Sequence, residues 1–307
     1  MPLYLLAPQH WHTWFGLGIL RLFEFLPYPL MVAAGHIVGR VARRLIPRYV
    51  KTARCNMRLC MPDAPESERE ALLHRHFEGL GVAVCESAMT WWSSDQRIRD
   101  LSQIEGMHHL EQAIARGRGV ILLTAHFTTL EIGARILNSV FPINALYRPL
   151  KNPVLAWITQ RSRGQHARRL IPRDDVRAMV RALKNNECVW YAPDQSYRKK
   201  GAAMVPFFGV PAATNVFTSR LAKMTGAAVL LYSHERLENA AGYRVAIHPA
   251  LEDYPGVCPE SDAVRFNHFI EVEVRRIPAQ YWWIHRRFKG LTPDYPDHYS
   301  AGAQSRP

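Results

Sequence analysis

Val120-Ile-Leu-Leu-Thr-Ala-His126-Phe-Thr-Thr-Leu-Glu131 runs a short apolar strand directly into a histidine and a carboxylate. Residues five apart on a regular helix lie roughly 140° apart around its axis, so one helix would carry the two side chains away from each other. A strand ending at Ala125, a turn at His126 and a helix opening near Thr128 put the imidazole at a strand's carboxyl end, where open α/β sheets place their sites. Oriented there by Glu131, His126 has the chemistry of a general base on a hydroxyl. The same residues also fit a plain helix cap, in which Thr128 accepts from the backbone of residue 131 and Glu131 reaches back to the amide of residue 128.

Outward from this stretch the pattern alternates. Ser67-Glu-Arg-Glu70 reads as a second capping box, opening a long helix that reaches Trp92. Helices are expected near 108–116, 128–138, 153–164, 175–185, 214–224 and 262–276. Strands are expected near 119–125, 143–147, 169–172, 187–192, 203–208, 227–233 and 243–248. That order predicts an α/β fold, a mixed central sheet flanked by helices, behind an N-terminal membrane-associated helical segment. There is no internal repeat, no glycine-rich phosphate loop and no Gly-x-Ser-x-Gly elbow, so neither a nucleotide cofactor nor a covalent serine mechanism is expected.

The 307 residues are 48% hydrophobic and can bury a substantial core, and their formal charge of +13 calls for an anionic partner. Finger-spaced Cys and His and an aromatic RNP-type strand are both missing, so nucleic acid is not the expected partner. Five cysteines, at 55, 60, 85, 188 and 258, form no Cys-x-x-Cys pair, which argues against a disulfide framework and a structural zinc. A reducing cytoplasmic setting is the simpler reading. The histidine pairs His74/His76 and His108/His109 read as surface residues, and no metal site is expected.

Residues 11–39 are apolar, but Arg21 and Glu24 interrupt the run and Pro27 and Pro29 break it. The halves, 13–20 and 25–39, are each shorter than the roughly 20 residues a spanning helix needs. No basic start marks a cleavable signal peptide. Arg40, Arg43, Arg44, Arg48, Lys51 and Arg54 then form a cluster suited to anionic headgroups and to the cytoplasmic side. The expected division is a membrane-anchoring segment over 1–50 and a catalytic domain over 51–307, with crossing and lying along the bilayer both open. A buried helix pair followed by a solvated basic face is the plainer alternative.

The chain resembles the late acyltransferases of lipid A biosynthesis, the lauroyltransferase type within the lysophospholipid acyltransferase superfamily. The likeness rests on His126 and Glu131, Tyr147-Arg148-Pro149 with Asn152-Pro153, Trp190-Tyr-Ala-Pro-Asp194 and Gln280-Tyr-Trp-Trp-Ile-His-Arg-Arg-Phe-Lys289. Tyr28-Pro29 and Asn56-Met-Arg-Leu-Cys-Met-Pro62 extend it over nearly the whole chain. Resemblance implies an acyl-carrier-protein thioester as donor, with no cofactor. It further implies a Kdo-bearing, phosphorylated, tetra-acylated lipid A precursor as acceptor, at the cytoplasmic face of a bacterial inner membrane with its anionic lipids. Acylation of a lysophospholipid or glycerophosphate shares the histidine and acid, but usually with an Asp second and a Pro-Glu-Gly element. Here Glu131 and Val205-Pro206-Phe207-Phe208-Gly209 stand instead. A non-catalytic membrane-associated lipid-binding protein is the alternative of another class.

Three further residues are candidate substrate contacts. Arg148 follows a strand and suits bidentate phosphate binding, or a solvated surface charge. Arg161 and Arg163 end the helix that begins at Pro153, where cations offset the dipole, and the resemblance points to Arg163 as a contact for phosphate or for charge at the reacting carbonyl. Asp194 follows Pro193 on the same sheet edge as His126 if the strands are parallel, to orient a cation or a sugar hydroxyl, or to start a turn. The family pattern has a second Asp two residues on, then Tyr and Gly, where this chain has Ser196-Tyr197-Arg198. The run Tyr281–Ile284 fits a membrane interface and a packed core equally.

Overall fold

The computed structural model describes residues 1–292, 295–296 and 298–299. Five helices precede the sheet: α1 (Trp11–Leu22), α2 (Tyr28–Leu45), α3 (Pro47–Cys60), α4 (Glu66–Trp92) and α5 (Asp95–Asp100). Strand and helix then alternate through β1 (Ser102–Glu105), α6 (Met107–Ala115), β2 (Val120–Leu123), α7 (Leu130–Asn138), β3 (Ile143–Tyr147), α8 (Pro153–His166), β4 (Arg169–Pro172), α9 (Val176–Lys184) and β5 (Cys188–Tyr191). A hairpin of β6 (Ala202–Phe207) and β7 (Val210–Asn215) follows, then α10 (Phe217–Thr225), β8 (Ala228–Arg236), β9 (Tyr243–Ala250) and α11 (Pro259–Arg276). The mixed α/β class expected from the pattern is what forms. Outside that reading lay α5, β1 and β7.

The main sheet has the order β1-β9-β8-β2-β5-β3-β4, parallel throughout except at β8 and β9. Strand β2 lies at its centre. All four of its residues are buried, because alternate side chains enter two different cores. Ile121, Leu123, Val189 and Val229 face the layer built by α3, α9, α10 and α11. Val120, Leu122, Leu230 and Tyr232 face the layer of α2, α6 and α7. Helix α4 contributes to both, through Phe77 on one side and Val82 and Met89 on the other.

Helices α2 and α4 approach closely enough that their contact requires glycine. A Cβ on Gly81 would lie 2.1 Å from the carbonyl oxygen of Gly35, and one on Gly39 equally close to that of Phe77. A buried ion pair ties α4 to the sheet. Arg236 donates from two nitrogens to Glu86, both at 2.6 Å, and the Tyr243 hydroxyl donates to the same carboxylate at 2.8 Å.

Among the described residues no helix is long and apolar enough to cross a membrane. What the N-terminal helices present instead is an exposed apolar stripe. Trp11, Phe15, Ile19 and Leu22 of α1 and Leu30, Ile37, Val41 and Leu45 of α2 lie on the surface at helical spacing.

Local expectations failed where tertiary contacts override them. Helix α4 opens at Glu66 after Pro65 with no side-chain cap, and Glu70 pairs with Arg43 and Arg54. His76, expected at the surface, is fully buried with Nδ1 3.0 Å from the Ala279 carbonyl oxygen, and burial pushes its pKa down to about 4. For Trp283, where membrane interface and core were both open, the core is what forms, its indole donating to the Pro278 carbonyl at 2.7 Å.

Candidate active site

Strands β2 and β5 are parallel neighbours with Leu123 opposite Tyr191, and each chain continues three residues beyond that rung. Those steps end at His126 and Asp194. The imidazole Nδ1 lies 2.5 Å from Oδ1 of Asp194, while the His126 amide donates to Oδ2 at 3.0 Å. An ionised carboxylate only accepts, so the ring proton sits on Nδ1 and the Nε2 lone pair remains for a substrate.

The expectation that Glu131 holds the imidazole is therefore corrected: the carboxylate on the ring is Asp194. Asp194 is also not open to a sugar hydroxyl, being only 2% exposed. The capping box does not form either. Helix α7 has Thr129 as its N-cap with no side-chain bond, and the Thr128 amide donates to the Gln280 carbonyl at 2.7 Å. Glu131 is instead clamped by Arg163 from α8, whose Nε lies 3.1 Å from Oε2 and whose terminal nitrogen donates to Oε1.

Burial pulls the His126 imidazole down, but the charge and hydrogen bond of Asp194 and the charge of Glu131 together lift it above its ordinary value of 6.5. For Asp194, burial pushes up, and the charge and two hydrogen bonds of His126, with the positive charge of Arg287, hold it below the usual carboxylate range.

Residues that the motif does not contain hold the loop in place. Trp282 donates its amide to the His126 carbonyl at 2.9 Å, and Phe127 and Tyr281 form an antiparallel bridge. His234 lies behind the loop, its Nδ1 2.8 Å from the Thr129 hydroxyl; burial keeps that ring neutral, its pKa pushed down to about 3. His285 accepts from the Ser196 amide at 3.0 Å through Nε2, and burial pushes it down to about 4. The Gln280–Lys289 run was the sequence signal for these contacts, although its partner loop was not readable from it.

Three cavities meet at His126 and Leu130. One, of about 470 Å³, is an apolar groove between α2 and α4, lined by Val38, Ala42, Ile46, Leu80 and Val84 and reaching Trp282 and Ile284. The second, about 240 Å³, holds Glu131 and Arg163. The third, about 520 Å³, lies beyond the carboxyl ends of β3, β4 and β5 and carries Arg148 at its edge with the second. Of the candidates named from sequence, His126, Glu131, Arg148 and Arg163 thus line connected space, and Asp194 lies beneath His126.

Residues 3–290 match the family described as bacterial lipid A biosynthesis acyltransferase. The chain belongs to that family. A lipid A biosynthesis palmitoleoyltransferase of Escherichia coli (strain K12) is 41% identical over 286 residues, which cover 92% of this chain and 93% of the relative. A lipid A biosynthesis lauroyltransferase of the same strain is 36% identical over 296 residues, covering 96% and 97%. A lipid A biosynthesis acyltransferase of Haemophilus influenzae is 37% identical over 289 residues, covering 92% of each. Relatives of such similar identity carry different acyl names, so kinship gives this lipid A acyltransferase its reaction class and not its acyl group.

Proposed function

We propose that the chain moves a fatty acyl group from an acyl-carrier-protein thioester to a hydroxyl of a Kdo-bearing, tetra-acylated lipid A precursor, at the cytoplasmic face of the inner membrane. The observation that carries the reading is a histidine, buffered on Nδ1 by a buried aspartate, at the meeting point of an apolar groove and a polar cleft. His126 Nε2 takes the proton of the acceptor hydroxyl as its oxygen attacks the thioester carbonyl. Asp194 fixes the tautomer and stabilises the imidazolium. As the C–S bond breaks, the imidazolium returns its proton to the departing thiolate, so no ATP and no metal enter the balance.

The oxyanion needs donors. The Thr128 and Leu130 amides already serve the Gln280 and Phe127 carbonyls, and the Arg163 guanidinium, which lines the same cavity as His126, takes that role in this reading. Glu131 is then the group that aims Arg163, with its charge also favouring imidazolium. The apolar groove takes an acyl chain, and the polar cleft takes the sugar headgroup, with Arg148 at the rim.

Residues 1–50 act as the membrane-anchoring segment and 51–307 as the catalytic body in this reading. The exposed apolar stripe of α1 and α2 lies along the leaflet, and Arg40, Arg44 and Arg48 contact anionic headgroups. The test is mass spectrometry of the lipid product after detergent-purified protein meets a series of acyl-carrier-protein thioesters and the tetra-acylated precursor. One added acyl mass, lost in His126→Ala, is expected. No added mass with any donor overturns the transfer, and persistence in the variant overturns the base.

A further inference from the structure

The polar cleft holds more positive charge than a headgroup rim requires, and its register explains how. Tyr147 and Pro172 are opposite each other at the ends of β3 and β4, and the Arg173 amide donates to the Tyr147 carbonyl at 3.0 Å. The next residue on each strand is an arginine, so Arg148 and Arg173 leave neighbouring strands at one level, with strand axes about 4.8 Å apart. Lys200 from the loop after β5 and Arg220 from α10 line the same cleft.

Against these four cations the cleft lining contains one acid. Asp174 is 3.9 Å from Arg173 and largely exposed. Among the described residues, Arg148, Lys200 and Arg220 have no carboxylate within salt-bridge distance, unlike Arg163, Arg236 or Arg276 elsewhere in the chain. Like charges brought together from four separate elements repel, and an anion of matching charge removes that repulsion. A phosphate monoester carries between one and two negative charges near neutral pH and accepts paired hydrogen bonds from guanidinium. The same walls bear the half-buried Tyr147 and Tyr197, flat surfaces for the apolar face of a sugar ring.

We propose that Arg148, Arg173, Lys200 and Arg220 form a phosphate-binding site that grips a phosphorylated sugar of the acceptor while a hydroxyl elsewhere on that acceptor reaches His126. This rests on the lipid A transfer reading above. Arg173, Lys200 and Arg220 are binding residues; none of them touches the reacting atoms.

The test uses the full chain in detergent and compares the phosphorylated precursor with the same lipid after phosphatase treatment. Equilibrium binding of each lipid is measured without donor, so the readout does not depend on turnover. In the wild type, loss of phosphate should weaken binding by about tenfold to a hundredfold, the range for charge-assisted hydrogen bonds. Arg173→Gln and Arg220→Gln should weaken the phosphorylated lipid to a similar extent, leave the dephosphorylated lipid unchanged, and keep thermal stability and the Michaelis constant for donor. Equal losses on both lipids, or no preference for phosphate in the wild type, overturn the site. A raised donor Michaelis constant with acceptor binding intact overturns it too, since the cleft would then receive the phosphodiester of the carrier's arm. Binding that follows these expectations in a chain that adds no acyl group to either lipid would leave the site standing and remove the transfer reading.

Discussion

Replacing Asp194 with Asn removes one negative charge from beneath His126 and keeps the volume. Two contacts are at stake, the 2.5 Å bond to Nδ1 and the 3.0 Å bond from the backbone amide. Without the carboxylate the ring loses both its fixed tautomer and the partner that stabilises its charged form. A positioned base contributes on the order of 10²- to 10⁴-fold, and kcat should fall within that range, about 3–5.5 kcal/mol of barrier. The pH profile adds a second, independent sign. In the wild type His126 titrates above 6.5, so kcat/KM rises with pH through that raised midpoint as the ring becomes neutral. In the variant the upward push of Asp194 is gone while the downward pull of burial persists. The acid limb should then move to lower pH even as the ceiling drops. The measurement is acyl transfer by mass spectrometry across pH 5–9. A variant with an unmoved acid limb, or Glu131→Gln producing these two effects in place of Asp194→Asn, would refute the assignment of Asp194 as the imidazole partner.

Other perturbations separate the remaining groups. Glu131→Gln frees one half of the Arg163 clamp but leaves Nδ1 bonded, so kcat should fall about tenfold to a hundredfold while the tautomer-holding bond remains; kinetics of Glu131→Gln and Asp194→Asn side by side check this. Glu86→Gln leaves the buried Arg236 without its counter-charge and should cost about 3–5 kcal/mol in chemical denaturation, with no special effect on the acid limb. Phe15→Glu with Ile19→Glu places charge in the exposed stripe of α1, and flotation with anionic vesicles should show lost binding while transfer to detergent-dispersed lipid persists.

The position of His126 was legible because four apolar residues after Gly119, followed by Thr and Ala, fit a short buried strand and its exit. The alternating order of the later elements was legible for the same reason. What the sequence hid is long-range. Asp194 could be put on the correct sheet edge, but its bond to the imidazole depends on the β2–β5 register, which no local pattern states. Thr128 and Glu131 satisfy the rule for a capping box, and yet Gln280 and Arg163 outcompete the cap, being distant in sequence and adjacent in space. Strand β1 escaped notice because its four residues alternate between half-buried and exposed positions, and β7 because Pro211 and two alanines dilute its strand character. His76 looked solvated beside His74, and only the packing of α4 against the 278–280 segment made it a buried neutral ring.

The equal three-residue overhang on β2 and β5 makes the chemistry a matter of counting. One residue inserted between Tyr191 and Asp194 would advance the carboxylate by a pleat and turn it away from the ring, whatever the substituted side chain. Downstream the arithmetic relaxes. Ser196 and Tyr197 are pinned by their amides to His285 and to the Ala213 carbonyl, and the exposed run Arg198-Lys199-Lys200 follows. Length and charge can change at Arg198 and Lys199 without moving the base, so tolerance to sequence drift is confined to the short exposed stretch between Tyr197 and the cleft-lining Lys200.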